Sequence, residues 1–270
     1  MPEVSRAARA ADLDTPNVAQ CFVDAWSYIS GQYPDAILAQ VGPVAVTLSQ
    51  TICPFFNMIT ISGPTNDEAA LRQATATARG YAERCPHDAM LLVSPDWLPE
   101  GGTLILADEG LSYSMSMWGM ATDGLAPPRR DEPALEYWIA NDSASSLDLG
   151  RVNADAYGMP HEIFAVTGNL HQWSGTQFGV VGYEQGRAVA AAQAYLLKDC
   201  IYIAMVATLP DLHGKGYGEA TMRRAIVAAQ DAVGHKRLWL HATASGRPLY
   251  RSMGFGDGAQ LDLYSFGGHA

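Results

Sequence analysis

Val206-Ala207-Thr208-Leu209-Pro210-Asp211-Leu212-His213-Gly214-Lys215-Gly216-Tyr217-Gly218 is the stretch on which the reading of this chain turns. It follows an apolar, strand-like run from Cys200 to Val206 and opens a long helical pattern over 217–233. Glycines at every second position let the backbone take left-handed angles and approach a ligand closely. The first N–H groups of the following helix have no intrahelical acceptor, so they converge on one point with the helix dipole behind them. That combination binds an anion such as a phosphate. The dinucleotide fingerprint would need glycine where Glu219 stands, and no phosphate-loop motif ending in Gly-Lys-Ser/Thr occurs. No His-Glu-x-x-His or Gly-x-Ser-x-Gly occurs either, which removes the zincin and hydrolase-elbow readings.

Working outward, the next informative segment is His241-Ala242-Thr243-Ala244-Ser245-Gly246-Arg247-Pro248-Leu249-Tyr250-Arg251-Ser252-Met253-Gly254-Phe255. It reads as a strand, a turn and a short helix ending at Gly-Phe. Together the two segments resemble the GCN5-related N-acetyltransferase (GNAT) family. The family signature is Gln or Arg, two residues, Gly, one residue, then Gly or Ala. His213 through Gly218 matches it with His in first place, and Leu249-Tyr250 through Gly254-Phe255 matches the second motif. The resemblance covers about residues 134–266.

The resemblance implies acetyl-CoA as acyl donor, with its pyrophosphate on His213, Gly214, Lys215, Gly216, Tyr217 and Gly218 and its pantetheine along Met205 to Thr208. It also implies that the Val206 N–H polarises the thioester carbonyl. Met205, Val206 and Thr208 act there through the backbone, and the Val206 side chain is expected in the core. Pro210 frees the strand end from its ladder. Tyr250 matches the tyrosine that protonates the departing thiolate in many members, and the alternative is a packed aromatic bordering the cofactor. Leu249 and Ser245 are further cofactor contacts, Ser245 by position also a cap for the short helix. Arg247 and Arg251 could meet the adenosine phosphate. The strand 200–206 carries no carboxylate, so the general base is not identified; His241 and Glu162 are candidates by chemistry.

The rest of the chain repeats this layout. Helical and strand-like segments alternate from Asp14 onward, and the helix 67–85 and strand 89–94 precede the helix 217–233 and strand 237–243 by about 150 residues. This predicts an internal duplication. The stretch 123–133, with three prolines and five charges, is the expected linker. The fold class expected is α+β: two GNAT-like domains, 1–130 and 131–270, each a mostly antiparallel sheet flanked by helices. In the first, Ser62-Gly63-Pro64-Thr65-Asn66-Asp67-Glu68 stands where the glycine loop should be. Its acids complement the helix dipole themselves and repel phosphate, so this copy is expected to be degenerate and to complete an acceptor cleft or the packing.

Composition agrees with a folded protein: 270 residues, 48% apolar and 17% charged. The net charge of −11, divided as −7 and −4 between the halves, disfavours nucleic acid and suits a cationic acceptor. Four scattered cysteines form no C-x-x-C pair, so neither a thiolate metal site nor a disulfide framework is expected. Met1–Arg6 precedes no apolar run, and no stretch of 18 apolar residues occurs. The expectation is therefore a cytoplasmic enzyme without metal or membrane partner. It would acetylate a small-molecule or protein amine, with a homodimer left open. A non-catalytic acyl-CoA-sensing module is the competing reading.

Overall fold

Asp14 opens the first helix, α1 (Thr15–Ser30), by accepting the Asn17 N–H at 3.0 Å, with Pro16 in the first turn. Val18, Ala19, Phe22, Ala25 and Ile29 recur at helical spacing and are all buried. The computed structural model describes residues 13–168 and 175–267, so the N-terminal segment Met1–Arg6 lies outside the described residues. The chain divides into two compact units: Met1–Ala121 with His241–Pro248 and Gly256–Ala270, and Thr122–Leu240 with Leu249–Phe255.

In the first unit, β1 (Ile37–Val41), β2 (Val44–Leu48) and β3 (Asn57–Ile61) form an antiparallel meander. Helix α2 (Glu68–Ala82) then crosses to β4 (Met90–Val93), which pairs parallel with β3. The apolar piece at 104–107 is part of a helix, α3 (Gly102–Asp108). Next comes β5 (Leu111–Thr122). The last strand of the chain, β11 (Gly256–Phe266), inserts antiparallel between β4 and β5. The core gathers Val44, Val46, Leu48, Ile59 and Ile61 from the sheet against Leu71, Ala74 and Ala78 of α2.

The second unit holds β6 (Glu136–Ile139), α4 (Ser143–Tyr157), α5 (His161–Phe164), β7 (Gln177–Glu184), β8 (Arg187–Leu196) and β9 (Cys200–Thr208). Helix α6 (Tyr217–Val233) then leads to β10 (Arg237–Thr243), whose first four residues belong to this unit. Strands β6 to β9 pair antiparallel in chain order, and β10 pairs parallel with β9. The alanines of β8 (188, 190–192 and 194) keep that strand thin, and both α4 and α6 pack on it. Val181, Val189, Ala191, Ala207, Leu149 and Val152 form its core.

Each unit therefore contains an antiparallel meander followed by a strand–helix–strand crossover with a parallel pair. Among the described residues no helix is long and apolar enough to cross a membrane. Among the described residues the cysteines form no disulfide; Cys53 and Cys85 are buried, while Cys21 and Cys200 are half-buried.

Candidate active site

The site grows from an irregularity in β9. Its parallel ladder with β10 runs only from Cys200 opposite Arg237 to Ile203 opposite Leu240. On the other side, Ala204 faces Gln193 and Ala207 faces Ala191, so the register against β8 slips between them. Met205 and Val206 together stand opposite the single residue Ala192, which is a β-bulge. Met205 takes φ +55°, a left-handed angle rare for a residue with a β-carbon. Both bulge residues are half-buried, so the Val206 side chain is not the core residue that sequence reading expects. Asn153 of α4 reaches the bulge and donates through Nδ2 to the Met205 carbonyl at 3.3 Å.

Beyond β9, Leu209 still donates to the Val189 carbonyl, and Pro210 then starts a single 3₁₀ turn. His213 returns its Nε2 to the Thr208 carbonyl at 3.0 Å, tying the end of the strand to the start of the glycine loop. Gly214 and Gly216 take φ +80° and +83°. Gly216 is the N-cap of α6 and contributes no side-chain oxygen, so the first N–H groups of the helix are left to solvent or ligand. A β-carbon at Gly218 would lie 2.8 Å from the Thr208 hydroxyl, which is why glycine is needed there.

Two residues that sequence reasoning missed frame this loop. Glu184, at the end of β7, accepts the Tyr217 hydroxyl and lies 3.7 Å from the Lys215 ammonium. That hydrogen bond is the first cause of the raised Tyr217 pKa, and the Lys215 ammonium sits 5.4 Å over the Tyr217 ring. The Tyr217 side chain is thus committed to Glu184, and what it offers a ligand is its backbone. Arg130, read from sequence as linker, donates to the Gly214 carbonyl. An exposed carboxylate or arginine far along the chain carries no sequence signal that would mark either role.

Tyr250 lies on α7 (Arg247–Ser252) and is 9% exposed, its ring 6.1 Å from Phe255. Burial, reinforced by the nearby Tyr157, pushes its pKa above the ordinary phenol value. Leu249, beside it, is half-buried. The helix ends in Gly254 at φ +96°, where a β-carbon would meet the Ala126 nitrogen at 3.1 Å. The Phe255 N–H returns to the Tyr250 carbonyl at 3.0 Å. The Gly-Phe ending of the motif is thus the stop that holds Tyr250 in its turn.

Other expectations change. Ser245 is exposed and pairs its hydroxyl with Thr243 at 3.0 Å; the Gly246 N–H goes to Thr243, so Ser245 is not the helix cap. Residues 241–248, Ser245 among them, are grouped with the first unit. Arg247 is engaged by Asp257 at 2.7 Å and stacks 4.3 Å over Trp118. His241 donates from Nε2 to the Val18 carbonyl at 3.1 Å and meets Phe22 edge-on. Burial lowers its pKa to about 4, so it is a neutral packing histidine in this structure. Glu162 is exposed at the start of α5.

In the segment that the sequence reading sets against the glycine loop, Asp67 caps α2 by accepting the Ala70 N–H at 2.8 Å, and Glu68 pairs with Arg72 at 2.8 Å. A carboxylate therefore fills the place that glycine leaves open at α6.

Residues 149–255 match the model of the acetyltransferase (GNAT) family, a span that holds the bulge, the glycine loop and the Tyr250 helix. Among solved structures, a GCN5-related N-acetyltransferase from Kribbella flavida is similar over 93% of this chain and 96% of its own, with TM-score 0.67 and 17% identity. One from Sphaerobacter thermophilus is similar over 95% and 92%, with TM-score 0.52 and 13% identity. A tandem GNAT protein from the clavulanic acid biosynthesis pathway covers 92% of this chain and 88% of its own, with TM-score 0.52 and 10% identity. At such identities the likeness establishes the fold. No curated protein matches the sequence. Residues 149–255 are thus similar to a GNAT-family domain, and the chain shares its fold with the two-domain structures it matches.

Proposed function

We propose that this protein is an acetyl-CoA-dependent N-acetyltransferase whose 131–270 half binds the donor, the 1–130 half being a degenerate copy that does not. The observation that carries this reading is the succession, within one unit, of a bulged strand end, a glycine loop and an uncapped helix N-terminus.

The residues fit the donor. The backbone at Gly214, Gly216 and Gly218, with the first N–H groups of α6, would hold its pyrophosphate, helped by His213 and Lys215. Met205 to Thr208 would pair with its pantetheine like an added strand, with Leu249 as a further contact. When bound, acetyl-CoA supplies a thioester carbonyl activated toward an amine.

What the chain adds is placement, polarisation and a proton. The Val206 N–H donates toward the carbonyl oxygen as charge gathers there, in a fixed orientation that needs no reorganisation. The attacking amine loses a proton and the thiolate must gain one. The phenol of Tyr250 can give that proton as the C–S bond breaks and then recover one from solvent, while the proton shed by the amine passes to solvent. The acidic surface favours a cationic acceptor arriving by diffusion.

A second reading rests on one observation: β9 carries no carboxylate to take the amine proton. In that reading the same site binds acyl-CoA as a sensor and transfers nothing. Thiol release from acetyl-CoA, followed with a panel of small amines and peptides, separates the two. Acceptor-dependent release supports the enzyme; tight binding with no release from any acceptor supports the sensor.

A further inference from the structure

We propose that Asn153 is a positioning residue for acyl transfer, holding the β9 bulge so that the Val206 N–H faces the donor carbonyl. This inference rests on the acetyltransferase reading above.

Asn153 lies on α4 and is fully buried. Its Nδ2 donates twice, to the Leu149 carbonyl one turn back at 2.9 Å and to the Met205 carbonyl of β9 at 3.3 Å. Its Oδ1 is buried with no partner. That asymmetry fixes the amide: turned over, its oxygen would face two carbonyls while the NH₂ group lost both acceptors.

A buried asparagine with one orphaned oxygen is a poor way to stabilise a helix–sheet contact, because an apolar side chain of the same size would avoid the desolvation. The bond to Leu149 is local to the helix and does nothing for the sheet. What remains is the bond to Met205, made at the residue with φ +55° and at the point where the β8–β9 register slips. A left-handed residue inside a strand persists only where its surroundings hold it. Asn153 is the side chain that supplies that hold from the helix above. The peptide after the Met205 carbonyl carries the Val206 N–H, so fixing one end of this rigid plane aims the other.

The test is Asn153→Leu, which keeps the volume and removes the donor. Turnover is expected to fall about 10–100-fold, as for a displaced catalytic donor, while KM for acetyl-CoA stays within about threefold and the melting temperature holds or rises. A residue that only fills space would give the opposite split, with turnover preserved. Where Asn153→Leu does not fold, the smaller Asn153→Ala takes its place with the same expectations for kcat and KM.

Amide hydrogen exchange gives a readout independent of activity. Residues 204–207 should exchange at least about tenfold faster in the variant, while the rest of β8 and β9 stays protected. Unchanged turnover, or unchanged exchange at 204–207, overturns the proposal. If the wild-type chain binds and turns over no acetyl-CoA, the functional reading fails by itself, and the exchange result still decides whether Asn153 holds the bulge.

Discussion

Gly216 is the residue at which backbone conformation and proposed binding meet. It takes φ +83°, caps α6 without a side chain, and a β-carbon placed on it meets nothing within 4 Å. Alanine there clashes with nothing, so its cost is the left-handed backbone alone, about 1–2 kcal/mol. In a chain of this size that lowers the melting temperature by roughly 2–8 °C. Glutamate carries the same backbone cost and adds a carboxylate at the helix start. Against a phosphate about 4 Å away, at an effective dielectric near 20, the repulsion is about 4 kcal/mol. Gly216→Ala should therefore stay folded and weaken acetyl-CoA binding modestly, while Gly216→Glu should weaken it by about 10²–10³-fold with nearly the same melting temperature. Circular-dichroism melts and titration calorimetry on the pair check both halves. A Gly216→Glu protein that is folded and binds acetyl-CoA as tightly as wild type would show that this loop is not the pyrophosphate site.

Tyr250→Phe keeps the ring and removes only the hydroxyl, so stability should change by at most about 0.5–1.5 kcal/mol. Turnover should fall about 10²–10⁴-fold with donor affinity nearly unchanged, and a loss under about fivefold in steady-state kinetics would retire Tyr250 as the acid. His241, held at about pKa 4 by burial, refuses a proton that the unfolded chain accepts between that value and its ordinary pKa near 6.5. Stability should therefore drop as pH falls from about 6.5 to about 4, by about 3 kcal/mol over the whole window. Urea unfolding of wild type and His241→Gln across this range should show that limb only in the wild type; identical profiles would contradict the burial argument.

The elements that sequence read well are those written by local chemistry. Asp14-Thr15-Pro16 sets the start of α1, and the alternating glycines with the helical pattern behind them set the loop before α6. The bulge was not legible, because Met205 carries none of the glycine or asparagine signal that marks a left-handed position. Asn153 reads as an ordinary polar residue on an amphipathic helix; its burial and its bond to Met205 come from how α4 lies on β9. The place of β11 between β4 and β5 was equally hidden, since alternation predicts a strand and says nothing of its neighbours. The partners of Ser245 and Arg247 were hidden as well. Motif position suggested ligand contacts for both, whereas Thr243 engages the first and Asp257 with Trp118 the second.

The central claim is that one of two related halves keeps a donor site. Calorimetric titration of the full chain with acetyl-CoA tests it most directly. The uncapped glycine loop at α6 and the Asp67-capped start of α2 predict saturable binding with a stoichiometry near one per chain, weakened about 10²–10³-fold by Gly216→Glu. A stoichiometry near two would show that the first half binds as well, and an absence of binding would contradict the account.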